Sequence, residues 1–247
     1  MSSRIDGKSC CRVVELRQYS LHPGQRDTLI ALFDREFVET QEATGMRVIA
    51  QFRDLDRPDV FTWLRGFADM SSRAAALTAF YDGPVWAAHR DAANATMITF
   101  DNVRLLRPVR PGSGFVLDRA RRPPSNATAI PPLLFVATIY SVASDGFAEF
   151  FERSMTPELV ASGARPIAVL ETEPSANTFP RLPVREGEHA FVWFARFAGV
   201  TAYDRHVTAL EASRQWRETV RPALDQQLES PAEIMRLAPT SRSLLPS

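Results

Sequence analysis

Hydrophobic and polar positions alternate from Val13 to Tyr19, the two-residue period of a strand. The turn residues His22, Pro23 and Gly24 follow. A three-to-four-residue period then runs to about Glu42, placing Leu29, Ile30, Phe33 and Phe37 on one helix face. Gly45 supplies a stop where positive φ costs little. Strands are predicted over 47–52 and 60–66, separated by a turn from Asp54 to Asp59. Ser71 or Ser72 is expected to cap a helix to Phe80. Gly83 and Pro84 break it, a short helix carries Trp86 and His89, and a last strand spans 96–106.

The same pattern then returns. A strand is predicted over 134–140, a helix capped by Ser144 with Phe147, Phe150, Phe151 and Met155 inward, and strands over 167–171 and 190–197. A long helix capped by Thr201 runs through Trp216, and a short strand spans 234–237. The repetition extends to identities. ATGMRVIA at 43–50 matches ASGARPIA at 161–168 in five of eight positions. An offset of 130 pairs Trp63 with Trp193, Phe67 with Phe197 and Trp86 with Trp216. Two tryptophan pairs at one offset, in a chain with 4 tryptophans, indicate an internal duplication.

Between the copies, six prolines from Pro108 to Pro132 prevent regular structure. The organisation expected is a tail over 1–12, a first module over 13–108, a connector over 109–132, a second module over 133–238 and a tail over 239–247. Arg119, Arg121 and Arg122 make the connector basic. It is expected to be solvated, open to proteolysis and poor in contacts, with an anion-binding arm as the alternative, and residues 1–10 and 240–247 are expected to be loose. The 172–188 loop is longer than its first-copy equivalent, as lids and variable surface loops often are.

A β-α-β-β-α-β order gives an α+β, ferredoxin-like module: a four-stranded antiparallel sheet with both helices on one face. Its bare face must be covered. Two modules in one chain can pair their sheets into an intramolecular, pseudo-dimeric α+β barrel. Residues 13–108 resemble the NIPSNAP family in Glu15-Leu16-Arg17-Gln18-Tyr19, Leu21-His22-Pro23-Gly24, the series Trp63, Phe67, Arg73, Trp86, and the ending Leu105-Leu106-Arg107-Pro108. Phe67 stands where the family usually has tyrosine. The second copy matches weakly, with Tyr203 where Arg73 would fall. The resemblance implies a ferredoxin-like module in a dimeric α+β barrel and no single reaction, because fold does not settle function.

Composition narrows the classes. Lys plus Arg and Asp plus Glu each total 29, so the phosphate-neutralising excess of a nucleic-acid binder is missing, and no nucleic-acid partner is expected. No apolar run is long enough to span a membrane and no secretory signal is visible, so a cytoplasmic protein with no membrane partner is expected. Cys10 and Cys11, adjacent at the start, read as reduced thiols on a loose end, a vicinal disulfide being the alternative. No histidine pair has metal-ligand spacing and no dinucleotide or phosphate loop occurs, so neither metal nor cofactor is expected.

The candidate chemistry rests on β-strand period. Val14 and Leu16 are expected to face the helices. Glu15, Arg17 and Tyr19 are expected to face the barrel interior, where Trp63, Arg65, Tyr140 and Trp193 could join them, with Phe61 and Phe191 nearby. Burying charge is costly unless it is paired, so the cluster is either a register-fixing ion pair or the polar wall of a ligand site. The second copy has Val136 and Thr138 where the first has Glu15 and Arg17. A single site would therefore lie on the first-copy side. His22 is the candidate acid or base, Tyr19 the donor to a developing oxyanion, and Arg17 the holder of an anionic group. Glu15, Trp63, Arg65, Tyr140 and Trp193 are the candidate substrate contacts. His206 is expected to face solvent, its alternative role being an axial haem ligand. The leading reading is a barrel that binds a small aromatic or carbonyl-containing molecule, as a monomer with pseudo-twofold symmetry or a homodimer, with cofactor-independent isomerase, cyclase or monooxygenase chemistry open to it. A non-enzymatic scaffold and a haem barrel are the alternatives.

Overall fold

A computed structural model describes residues 9–118, 121–143 and 146–245. Arg119, Ser144 and residues 1–8 of the tail expected to be loose lie outside the described residues. Eight antiparallel strands close into one barrel: β1 (Val13–Leu21), β2 (Arg47–Asp54), β3 (Val60–Phe67), β4 (Met97–Pro108), β5 (Leu134–Ser141), β6 (Pro166–Thr172), β7 (Ala190–Phe197) and β8 (Glu233–Pro239). Around the barrel they run β1-β3-β2-β8-β5-β7-β6-β4. Each half is thus a ferredoxin-like sheet, joined to the other through β2 with β8 and β4 with β6.

The two halves agree in detail. Arg17 lies opposite Trp63 across β1 and β3, as Thr138 lies opposite Trp193 across β5 and β7. The shared ATG/ASG segments place a register shift between Val48 and Ala50 in β2 and between Pro166 and Ala168 in β6. Gly45 and Gly163, just before those strands, have φ of 99° and 104°, a region that glycine enters without a Cβ penalty. The helix after β1 runs as α1 (Arg26–Leu32), a π turn (Phe33–Phe37) and α2 (Val38–Ala43). That after β5 runs as α5 (Phe147–Phe150), a π turn (Phe151–Met155) and α6 (Thr156–Ala161). The later helices are α3 (Met70–Tyr81), α4 (Pro84–Asn94), α7 (Val200–Ala212) and, after a third π turn (Trp216–Val220), α8 (Arg221–Asp225). Asp69, not Ser71 or Ser72, caps α3 by accepting from the Ser72 amide. Gly199, not Thr201, precedes α7.

Three apolar layers follow from strand period. The barrel interior takes Val14, Leu16, Phe52, Leu64, Phe135, Ala137, Ile139, Leu170, Val192, Phe194, Met235 and Leu237, and all eight strands contribute to it. Each half then has its own layer between sheet and helices. This reverses the expected faces: Val14 and Leu16 point into the barrel, while Glu15, Arg17 and Tyr19 point at the helices of the first half. An eight-stranded barrel is just wide enough for its own side chains, so its interior is packed and apolar.

The flanking segments also depart from expectation. The connector places Phe115 in the barrel layer against Phe194, with ring centroids 5.1 Å apart. Arg122 donates to Glu42 and to the carbonyls of Val48 and Arg242. Residues 240–245 are not loose either. The Thr240 amide bonds to the Gln51 carbonyl, Arg242 pairs with Glu39, and Leu245 reaches the barrel layer. Cys10 and Cys11 are not free thiols on a loose end; they form a vicinal disulfide, and Cys11 is packed against Gly66. A proline-rich chain lacks donors for a sheet but can still lie on one where single amides and apolar side chains find partners.

Candidate functional site

The first sheet–helix layer holds one carboxylate among three guanidinium groups. On β1, Glu15 and Arg17 share a face two residues apart. Arg65 stands opposite Glu15 on β3, and Arg73 comes from the first turns of α3. Arg17 Nη1 and Arg65 Nε donate to Glu15 Oε2 at 2.5 and 2.6 Å, and Arg73 Nε donates to Oε1 at 2.7 Å. All four side chains are fully buried. Burial alone would raise the Glu15 carboxyl, but Arg65, Arg17 and Arg73 hold it well below the usual carboxylate range. Further acceptors are neutral: Gln41 Oε1 for Arg65, and Asn177 Oδ1 and Thr178 Oγ1 for Arg73.

Tyr19 continues the row outward. Its hydroxyl accepts from Arg17 Nε at 2.9 Å, and burial pushes its phenol above the ordinary value. That bond occupies an oxygen lone pair and leaves the O–H free to donate. Tyr19 and Trp63 line a cavity of about 290 Å³ between the sheet and the helices. Its walls are aromatic: Phe33 and Phe37 from the π turn, Phe80 and Tyr81 from α3, Trp86 from α4 and Phe100 from β4. The 172–188 loop, from the second half, closes one side with Phe179, Arg181 and Leu182. It is anchored to the first half by the Arg73 bonds, by Thr178 Oγ1 to the Met70 carbonyl and by Arg181 with Asp82. The guanidinium groups of Arg17 and Arg65 lie 5.5 and 5.2 Å from the Trp63 ring, on the site's floor.

The expected site residues are therefore divided. Tyr19 and Trp63 line the cavity, and Glu15, Arg17 and Arg65 lie directly behind it. Tyr140 and Trp193 do not join them, because they belong to the second sheet–helix layer, across the barrel. Burial pushes the Tyr140 phenol up to about 12, in contact with Phe147. Phe61 packs on Phe33, and Phe191 on Phe147 and Phe151, again in separate layers. His22 is exposed in the turn after β1, its amide bonded to the Thr96 carbonyl, and it does not line the cavity. Among the described residues, no histidine or carboxylate lines it, so the proton-moving role assigned to His22 finds no counterpart there.

His206 is buried rather than solvent-facing, its ring 5.4 Å from Phe197 and 6.2 Å from Tyr203. Burial lowers its pKa. An axial haem ligand needs open space beside a ring nitrogen, and His206 is buried without lining the cavity, so it does not fit that role. Among the described residues, no three His, Cys, Asp or Glu side chains are grouped to hold a metal ion, and no helix is long and apolar enough to cross a membrane. Sequence reasoning missed Gln41, Tyr81, Phe179 and the structural weight of Arg73. Only Arg73 had a signal, its place in the series with Trp63, Phe67 and Trp86.

The NIPSNAP family model matches residues 14–111. No curated protein matches the chain significantly. Among solved structures, the chain is similar to an anthrone oxidase-like protein at 11% identity and a TM-score of 0.58, over 95% of this chain and 92% of that one. It is similar to a candidate monooxygenase from Lactobacillus acidophilus at 13% identity and 0.52, over 92% and 93% of the two chains. A third match is an encapsulated DyP-type peroxidase from Mycobacterium smegmatis, at 10% identity and 0.53, over 96% of each chain. At these identities the likeness is one of fold.

Proposed function

We propose, from the premise that residues 14–111 form a NIPSNAP domain, that this protein binds a small planar aromatic molecule in the first-half cavity, with a carbonyl or enol oxygen against Tyr19. The observation that carries the reading is the Tyr19 O–H. It stands at the floor of an aromatic cavity, and its oxygen already accepts from a buried arginine. Apolar walls with one placed polar group are the usual form of a small-molecule site. A donor polarised in this way stabilises negative charge developing on a carbonyl oxygen. With no histidine or carboxylate among the described lining residues, the reactions within reach are those whose substrate is already acidic next to its carbonyl. The monooxygenase and oxidase names of structural neighbours accord with such chemistry without assigning it.

The two-ring ketone 1-tetralone is a suitable probe, read by calorimetry and by quenching of Trp63 fluorescence. Binding should be saturable and should weaken about tenfold or more in Phe37→Ala, which opens the aromatic wall. Absence of binding, or binding indifferent to Phe37→Ala, would remove the cavity from consideration and leave the buried charges as a structural ion cluster.

A further inference from the structure

The charges behind the cavity do not balance. Among the described residues, Glu15 is the only carboxylate within ion-pair distance of Arg17, Arg65 and Arg73, so one negative charge faces three positive ones. The neutral acceptors take some of the remaining N–H groups. Even so, Nη2 of each of the three arginines is buried with no partner. Arginine cannot shed its proton to escape this, and an uncompensated buried charge costs several kcal/mol. The floor between these charges and the cavity is one side chain thick. Arg17 touches Tyr19, Arg65 touches Gln41, and both stack on Trp63, while Tyr19, Gln41 and Trp63 all line the cavity. The rim arginines do not add to the excess, since Arg90 faces Asp91 and Arg181 pairs with Asp82.

We infer that the cavity's ligand is a planar anion of about two fused rings, a carboxylate or an enolate, whose charge offsets the arginine excess. The inference rests on the cavity reading above and adds the charge and size of what enters. Size follows from volume: a dry cavity of roughly 150 Å³ takes one benzene ring, and this one is about 290 Å³. Charge follows from the excess, and orientation from Tyr19. The anionic oxygen accepts the Tyr19 O–H, which passes the interaction on to Arg17 without exposing the guanidinium. The rings stack among Phe33, Phe37 and Trp86.

Calorimetry on the full chain with 1-naphthoate and with neutral 1-tetralone tests this without any variant. Naphthoate should bind about tenfold more tightly or better, where two-ring molecules of similar size would bind about alike in a site blind to charge. Gln41→Glu then supplies the missing carboxylate beside Arg65 Nη1, and it should abolish the preference for naphthoate over tetralone. Tetralone binding with no naphthoate preference would overturn the charge inference and leave the cavity reading standing. A preference that survives Gln41→Glu would show that the arginine cluster is not its source and would overturn it as well. Binding of neither probe would remove the cavity reading and the inference together.

Discussion

The two halves share strand order, register, bulge and π turn, yet one sheet–helix layer is charged and the other is not. Where the first half has Glu15, Arg17, Arg65 and Arg73, the second has Val136, Thr138, Ala195 and Tyr203 at the matching positions. The second half is thus a built-in control. It shows that this layer closes around the same tryptophan without buried ions, with Trp193 against Phe151 where Trp63 meets Phe33. Folding does not require the cluster, and buried ion pairs are seldom better than apolar side chains of similar volume. The charges are to be explained by what lies beside them, which in the first half is the aromatic cavity.

The comparison breaks most visibly at Glu15. Glu15→Ala should cost about 3–5 kcal/mol in urea unfolding, because three buried guanidinium groups lose their carboxylate. Val136→Ala, its counterpart, should cost only about 1–2 kcal/mol for lost methyl groups. Similar small losses at both sites would mean the cluster is far better solvated than its burial indicates. Copying the second half's residues into the first (Glu15→Val, Arg17→Thr, Arg65→Ala and Arg73→Tyr together) should return stability to within about 2 kcal/mol of the parent. The same variant should lose its preference for naphthoate. A variant that unfolds would show that the halves are not interchangeable in this layer.

Two smaller effects sharpen the contrast. Asp34, in the first π turn, is buried and accepts from Gln51, whereas Glu152 at the matching place is exposed. Burial raises the Asp34 pKa to about 6. A carboxyl raised above its unfolded value of about 3.9 stabilises the fold at low pH, and that contribution is lost as pH rises through its folded value. Asp34→Asn should therefore raise stability near neutral pH by on the order of 1 kcal/mol, after allowance for partial solvent access. It should also flatten the stability profile between about pH 4 and 6. A profile unchanged by the substitution would place that titration elsewhere. Tyr19→Phe should weaken 1-tetralone binding by about 0.5–1.5 kcal/mol, the worth of one neutral hydrogen bond. An unchanged Kd would show that the hydroxyl does not meet the ligand.

The duplication was legible because it leaves marks that packing cannot blur: paired tryptophans, two glycines that must take positive φ, and one repeated bulge segment. The inner face was misread because both faces of β1 are buried, so alternation separates two rows without saying which one the barrel encloses. A signal was present in the pair of copies. Val14 and Leu16 are apolar and so are their counterparts Phe135 and Ala137, whereas Glu15 and Arg17 are matched by Val136 and Thr138. An interior shared by both halves must be the row that is apolar in both. The cavity itself was beyond reach of strand period, because its walls come from a π turn, two helices and a loop of the other half. Aromatic residues in such elements look like ordinary core in the sequence. The connector and chain end were misjudged for a related reason. Proline content shows that a segment is irregular, not that it is unpacked.

Arg73 serves two structures with one guanidinium. Its Nε holds Glu15, while its Nη1 reaches Asn177 and Thr178 on the loop that closes the cavity. The loop therefore cannot swing away without breaking hydrogen bonds to a member of the charged cluster, and an anion that relieves the cluster's excess alters the strength of that latch. In kinetic terms, the proposed anion would leave at a rate set jointly by the loop and by the charge beneath it. The half that lacks the charges thus contributes the loop that covers one side of the cavity.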